Sequence, residues 1–405
     1  MNKNKPSGEL ESVKRRNFMM TSAAALSALA VSNSAFSANT KRPPNAGFSD
    51  LSTKKLWALR NLRGGESFIL PSVGPDLKTI DEEAIRRELR HSIANGFCSV
   101  LPVPVGLDSA NTALMSSIIA DEAKDDILQV GLIRPGTLSQ MEPQLREMEQ
   151  RGVSHALMYF NPELASQDAM AEQMLSIIEN TSLAIVLYAK PSAAITHLDP
   201  TGLPLDAFDR LADHDSVVAV KFTQTLRPAT AYALAERVGD RLLLGVVDIE
   251  LMLALSLKYP IQWTGQWAIE SLQSPQKPWM SEFLNLMRKK DYQDAYDLYW
   301  QYEKIASNFY ALQEPSLSIG GHPWMHIKYM KWLTGGNGGL LPQLNESPEF
   351  VPHLDAEARA QCRAIYAEVG IPTVDLPDEA FIVGNAAYER GVRASDFASL
   401  PQYIR

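Results

Sequence analysis

The chain has 405 residues, 45% of them hydrophobic and 21% charged, which is enough apolar material for a large globular core. Its formal net charge is −9, and residues 1–37 hold five basic side chains against two acidic ones, leaving −12 on the remainder. So acidic a body excludes a general nucleic-acid binder and a protein held to anionic membranes by charge.

At the start, Lys14-Arg15-Arg16-Asn17-Phe18-Met19 precedes an apolar run at 21–31, and Ala35-Phe36-Ser37 offers a small-x-small cleavage site. Charged, apolar and cleavage regions in that order read as a twin-arginine export signal over residues 1–37. The run is far shorter than the roughly 20 apolar residues of a membrane span. The expectation is a protein that is processed, leaves the membrane and works in the periplasm. Residues 38–66 are polar and broken by Pro43-Pro44 and Gly64-Gly65; they read as a linker with one short helix around Leu56 to Leu62. The two cysteines, Cys98 and Cys362, have no metal-ligand or redox spacing; a disulfide formed after export is open to them, and two buried thiols are the simpler reading.

A βα rhythm then begins. Apolar runs at 68–73, 97–105, 127–133 and 153–159 are followed by helical spacing at 81–94, 110–124, 138–151 and 167–180, the first with an N-cap at Thr79 or Asp81. Runs at 183–187 and 217–220 flank a Pro-containing loop and a helix with Leu205, Phe208 and Leu211 on one face. A helix at 231–238, a run at 242–247, a helix at 250–257, a short run at 261–265 and a helix at 278–288 complete the series. Eight strands alternating with helices point to the α/β class and a (β/α)8 TIM barrel over residues 67–290. An open doubly wound sheet usually carries a G-x-G-x-x-G turn, and this chain has none. Helical spacing at 292–307, 326–333 and 355–369 with no strand between marks a C-terminal helical extension, residues 291–370. Residues 371–405 form a tail whose place is either on the barrel surface or at a subunit contact.

The runs ending in Tyr188 and Lys221 are successive strands of one βαβ unit, so their polar tips should stand side by side at the face where barrel enzymes carry their chemistry. Singly, each fits a blander role: a solvated strand end for the Lys, packing for the Tyr. Together they suit carbonyl chemistry, in which an amine attacks a ketone to form a Schiff base and a phenol moves protons. Burial at a barrel mouth favours the neutral amine that such an attack needs.

Leu187-Tyr188-Ala189-Lys190-Pro191 and Val217-Val218-Ala219-Val220-Lys221 resemble the L-Y-N-x-P and V-x-G-I-K motifs of the dihydrodipicolinate synthase and N-acetylneuraminate lyase family, with Ala189 and Ala219 in place of Asn and Gly. Asp291-Tyr292-Gln293-Asp294-Ala295 resembles the G-D-x-x-x-A start of that family's first helix beyond the barrel, and the resemblance spans roughly residues 66–345. It implies that Lys221 forms a Schiff base with a 2-oxo acid and that Tyr188 relays protons. The family holds the substrate carboxylate in a G-T/S-T/N-G-E loop after strand two. Here Val103-Pro104-Val105-Gly106-Leu107 keeps one Gly, so a cradle would rest on the backbone amides of Val105 and Gly106. Ala193 or Ala194 stands where lysine-biosynthesis members place an Arg for a second carboxylate. Tyr159, in Tyr159-Phe160-Asn161-Pro162, takes the place of a P-Y-Y segment and lies near the pocket or packs as a core aromatic.

Other residues carry weaker readings. Asp248 and Glu250 read as the N-cap and first turn of a helix. His197, His322 and His326 form no metal set, and Trp263, Trp267 and Trp279 read as core packing ahead of a sugar-binding mouth. The sequence therefore leads to an exported Schiff-base lyase or aldolase acting on a 2-oxo acid or its aldol adduct, with no metal or organic cofactor. Its expected partners are a small 2-oxo acid or sugar-acid substrate and copies of itself, in a homodimer or homotetramer implied by the resemblance. Nucleic acid and, after processing, membrane are not among them. Two alternatives stand beside this reading: a non-catalytic periplasmic binding protein on the same barrel, and a sugar-acid dehydratase of the same family.

Overall fold

The computed structural model describes residues 52–222, 227–265 and 268–405. The expected export signal, the linker as far as residue 51, and Trp267 lie outside the described residues.

Eight parallel strands close a barrel in chain order: β1 (Gly64–Ile69), β2 (Ser99–Pro102), β3 (Leu128–Ile133), β4 (His155–Met158), β5 (Ala184–Ala189), β6 (Val217–Phe222), β7 (Leu243–Gly245) and β8 (Trp263–Thr264). β8 returns to β1 through Gly64↔Trp263 and Gly65↔Thr264. The strands are buried on both faces, by the helices outside and by side chains inside, which is why they read as unbroken apolar runs. The intervening helices are α2 (Glu82–Ala94), α3 (Ser109–Ala123), α4 (Leu138–Gln150), α5 (Gln167–Ile178), α6 (Leu205–Leu211), α7 (Pro228–Val238) and α8 (Ile249–Ser256). After β8 come the short α9 (Ala268–Ser271) and α10 (Trp279–Lys289). The Asp81 side chain caps α2 by accepting from the Ala84 amide.

The first strand departs from the sequence reading. It starts at Gly64, not at Phe68, so residues 64–66, read as the end of the linker, already belong to the barrel; α1 (Thr53–Asn61) precedes it, where one short helix is expected around Leu56 to Leu62. Position 65 of the strand is a glycine because two side chains press on it: a Cβ there would meet Ile269 Cδ1 at 2.6 Å and Phe97 Cδ1 at 2.8 Å. α1 packs on β5 and β6, and Lys55 Nζ donates to the Ala212 carbonyl at 2.6 Å.

The extension comprises α11 (Tyr292–Leu317), which runs ten residues beyond the expected end, α12 (Trp324–Leu333) and α13 (Ala356–Val369). The tail adds α14 (Asp378–Val383) and α15 (Asn385–Glu389) and folds back over the rest. Phe381 is buried against Tyr329 and Trp332, Asp378 pairs with Arg359 and Arg363, and Arg390 reaches Asp81 at the start of α2. No helix among the described residues is long and apolar enough to cross a membrane.

Candidate active site

The register of β5 and β6 pairs Tyr188 with Lys221. Adjacent residues on parallel strands project to the same side, and Lys221 Nζ lies 5.8 Å from the centre of the Tyr188 ring. Tyr159 extends the row. It follows β4, whose Met158 is level with Leu187, and its ring meets Tyr188 edge-on at 4.5 Å. Burial pushes the Tyr159 phenol well above its ordinary range, and the neighbouring Tyr188 with its hydrogen bond adds to the effect. Tyr159, Tyr188 and Lys221 thus stand abreast at the C-terminal ends of β4, β5 and β6. Lys190 is exposed beyond the strand end, and Ala193 and Ala194 sit exposed in a short 3-10 turn.

Lys221 has a partner that sequence reasoning missed. Glu66 on β1 places Oε1 2.7 Å from Lys221 Nζ, and both side chains are buried. The other carboxylate oxygen lies 3.4 Å from Ser99 Oγ and 3.8 Å from His155 Nε2, the latter longer than a hydrogen bond. Burial alone would raise the Glu66 carboxyl, but Lys221 and His155 outweigh it and hold it down to about 2. Lys221 is therefore not simply desolvated at the barrel mouth, as the sequence led one to expect; it enters an ion pair. Two strands, β7 and β8, separate β6 from β1. The pair can meet because the residue after β8 is Gly265: a Cβ there would stand 2.7 Å from Glu66 Oε1 and 2.8 Å from Lys221 Nζ.

The proposed carboxylate cradle is built differently from its expectation. The Val105 amide donates to the Val103 carbonyl at 2.9 Å, so it is committed within its own turn. Gly106 takes φ +71°, and a Cβ there would meet Leu344 Cδ2 at 2.6 Å and Pro342 Cβ at 3.1 Å. The loop is thus pressed against the segment after α12, and a cradle using both amides would have to break the Val105 bond.

The remaining candidates resolve as follows. Asp248 occupies the N-cap position of α8 without a side-chain capping bond; burial, with Glu250 adding to it, pushes its carboxyl up to about 7. Glu250 accepts from the Tyr299 hydroxyl at 2.9 Å. Trp263 is buried and fills the space over Gly245, and Trp279 stacks on Tyr302. His322 stacks on Trp324 and His326 is buried in α12; burial lowers both imidazoles to about 4. Cys98 and Cys362 are free thiols that burial pushes up to about 12. Among the described residues no cluster of His, Cys, Asp and Glu is disposed to hold a metal ion.

No protein-family model and no curated protein matches the chain. Solved structures do. Dihydrodipicolinate synthase from Thermotoga maritima is 15% identical, with a TM-score of 0.56 over 77% of this chain and 99% of its own. CdNal from Clostridium difficile, solved with mannosamine, is 16% identical, with a TM-score of 0.56 over 76% and 99%. A prophage protein of the dihydrodipicolinic acid synthase family from E. coli K12, solved with pyruvate, is 15% identical, with a TM-score of 0.59 over 76% and 99%. The likeness is one of fold.

Proposed function

We propose that the chain is a Schiff-base-forming lyase or aldolase that acts on a 2-oxo acid or its aldol adduct. The observation that carries this reading is the register of Tyr188 with Lys221 at the strand ends of a barrel of this fold. Lys221 supplies the amine that attacks C2 of the 2-oxo acid. Tyr188, backed by Tyr159, moves the proton of the substrate hydroxyl as the carbon–carbon bond breaks or forms. The fold neighbour solved with pyruvate supports a 2-oxo acid as the substrate class. Ala193 and Ala194 offer no cation for a second carboxylate, which argues against condensation of pyruvate with aspartate semialdehyde. The N-terminal residues support export to the periplasm, and the family resemblance supports a homo-oligomer.

Borohydride in the presence of a 2-oxo acid should fix its mass on Lys221, as read by peptide mapping, with exposed Lys190 as the unlabelled control. Lys221→Gln, which keeps a hydrogen-bonding partner for Glu66, should give no adduct. Tyr188→Phe should still give adduct but slow turnover by about 10²–10⁴-fold. If pyruvate and larger 2-oxo acids leave Lys221 unmodified, the reading fails. A binding protein on the same barrel, favoured by the turn that ties up the Val105 amide, then takes its place.

A further inference from the structure

An ion pair inside a barrel is an expensive way to fill space, since both charges leave water and two apolar side chains would fit at lower cost. The pair of Glu66 and Lys221 is also not a generic bridge. It is made to the amine that stands beside Tyr188, and it reaches across two strands through the gap left by Gly265. Ser99 and His155 stand beside one oxygen of the carboxylate and the other faces the amine.

We infer that Glu66 is a further catalytic residue, the proton carrier between the Lys221 amine and the carbonyl oxygen of a 2-oxo acid during imine formation. This inference rests on the Schiff-base reading above. The resting pair is an ammonium and a carboxylate. Glu66 takes one proton from Lys221, and the freed amine forms a carbon–nitrogen bond to C2, whose carbonyl electrons move onto oxygen. Glu66 returns that proton to the oxygen and takes a second from the nitrogen, leaving a neutral carbinolamine. It gives this second proton to the hydroxyl, which departs as water as the nitrogen lone pair closes the C=N bond. Ammonium plus ketone becomes iminium plus water, and Glu66 ends as the carboxylate it began as. No oxidant, metal or further acid takes part. Tyr188 is then free for the proton of the aldol step.

The opposite role for Glu66 would be a lock that holds Lys221 charged and inert, and the two roles predict opposite signs. The experiment follows the rate at which pyruvate or 2-oxobutyrate, trapped with borohydride, labels the Lys221 peptide in wild type and in Glu66→Gln, with thermal unfolding as the check on folding. Proton carriage predicts a rate about 10²–10⁴-fold lower in the variant. An unchanged or faster rate overturns the inference and leaves the Schiff-base reading standing. No adduct in wild type sinks the Schiff-base reading, and the inference with it. Should Glu66→Gln not fold, Glu66→Asp keeps a charge for Lys221 but draws the oxygen back by one methylene. It is expected to slow labelling by about 10²-fold, the usual cost of an ångström of misplacement, and an undiminished rate overturns the inference.

Discussion

Removing the Lys221 amine leaves the Glu66 carboxylate buried, with Ser99 Oγ 3.4 Å and His155 Nε2 3.8 Å away. An uncompensated buried charge of this kind costs about 3–5 kcal/mol, whereas replacing a whole buried pair by apolar side chains is often neutral. Lys221→Ala should therefore lose about that much in a urea titration, and Lys221→Met combined with Glu66→Leu should recover most of it. A double variant as unstable as the single one would show that the two charges do not answer one another. Acid provides a second measurement. Glu66 is held at about 2 in the fold against an ordinary 4.5, so its contribution is complete above pH 4.5 and drains away as pH falls toward 2. Wild type should lose stability across that window more steeply than the charge-free double variant.

Helix α12 is joined to β1 by buried charges as well as by packing. Lys331 Nζ lies 3.1 Å from Glu88 of α2, 2.9 Å from Glu270 of α9 and 2.8 Å from the Phe68 carbonyl. One turn earlier, Lys328 donates to the Pro71 carbonyl and to Ser72 Oγ, just past the end of β1. Burial drives the Lys328 ammonium down to about 7; Glu88 pulls it up, and Lys331 pushes it further down. In the unfolded chain it keeps its ordinary 10.5. Between about pH 7 and 10.5 the unfolded chain therefore holds a proton that the folded chain has lost, and stability rises with pH through that window. Lys331 is shifted upward, so its own stabilising share is lost only above 10.5. The melting temperature should climb from pH 7 toward pH 9, above which the raised thiols of Cys98 and Cys362 oppose the rise, and Lys328→Met should flatten the climb. A wild-type profile that is flat or falling over that range would contradict this account of the α12 contact.

The tail binds the helical extension and the start of α2. Phe381 is fully buried, with its ring centre 4.9 Å from that of Tyr329 and 5.6 Å from that of Trp332. Asp378 binds Arg359 at 2.8 Å and Arg363 at 2.9 Å, and Arg390 closes onto Asp81 at 2.6 Å. Phe381→Ala should cost about 3–5 kcal/mol, as truncation of a buried aromatic does. Because α12 is bound to both β1 and the tail, the loss should appear as a lower midpoint of one calorimetric transition. A separate early transition would mean that the tail and extension melt apart from the barrel.

The barrel was legible because strands buried on both faces read as apolar runs, and the helices between them keep the 3.6-residue spacing whatever they pack on. Tyr188 and Lys221 were legible for a related reason: they end successive runs of one βαβ unit, so parallel pairing alone sets them abreast. Glu66 was not. It is 155 residues from Lys221 in the chain, and Gly64-Gly65 before it reads locally as a breaker. The packing of Gly106 was equally hidden, since the residues against it, Pro342 and Leu344, lie beyond α12. The lysine's neighbour is set by closure, which brings β8 back to β1, with Gly265 leaving room for the carboxylate to reach the amine. Local spacing carries no trace of that contact, because what makes it is the absence of a side chain just after a third strand.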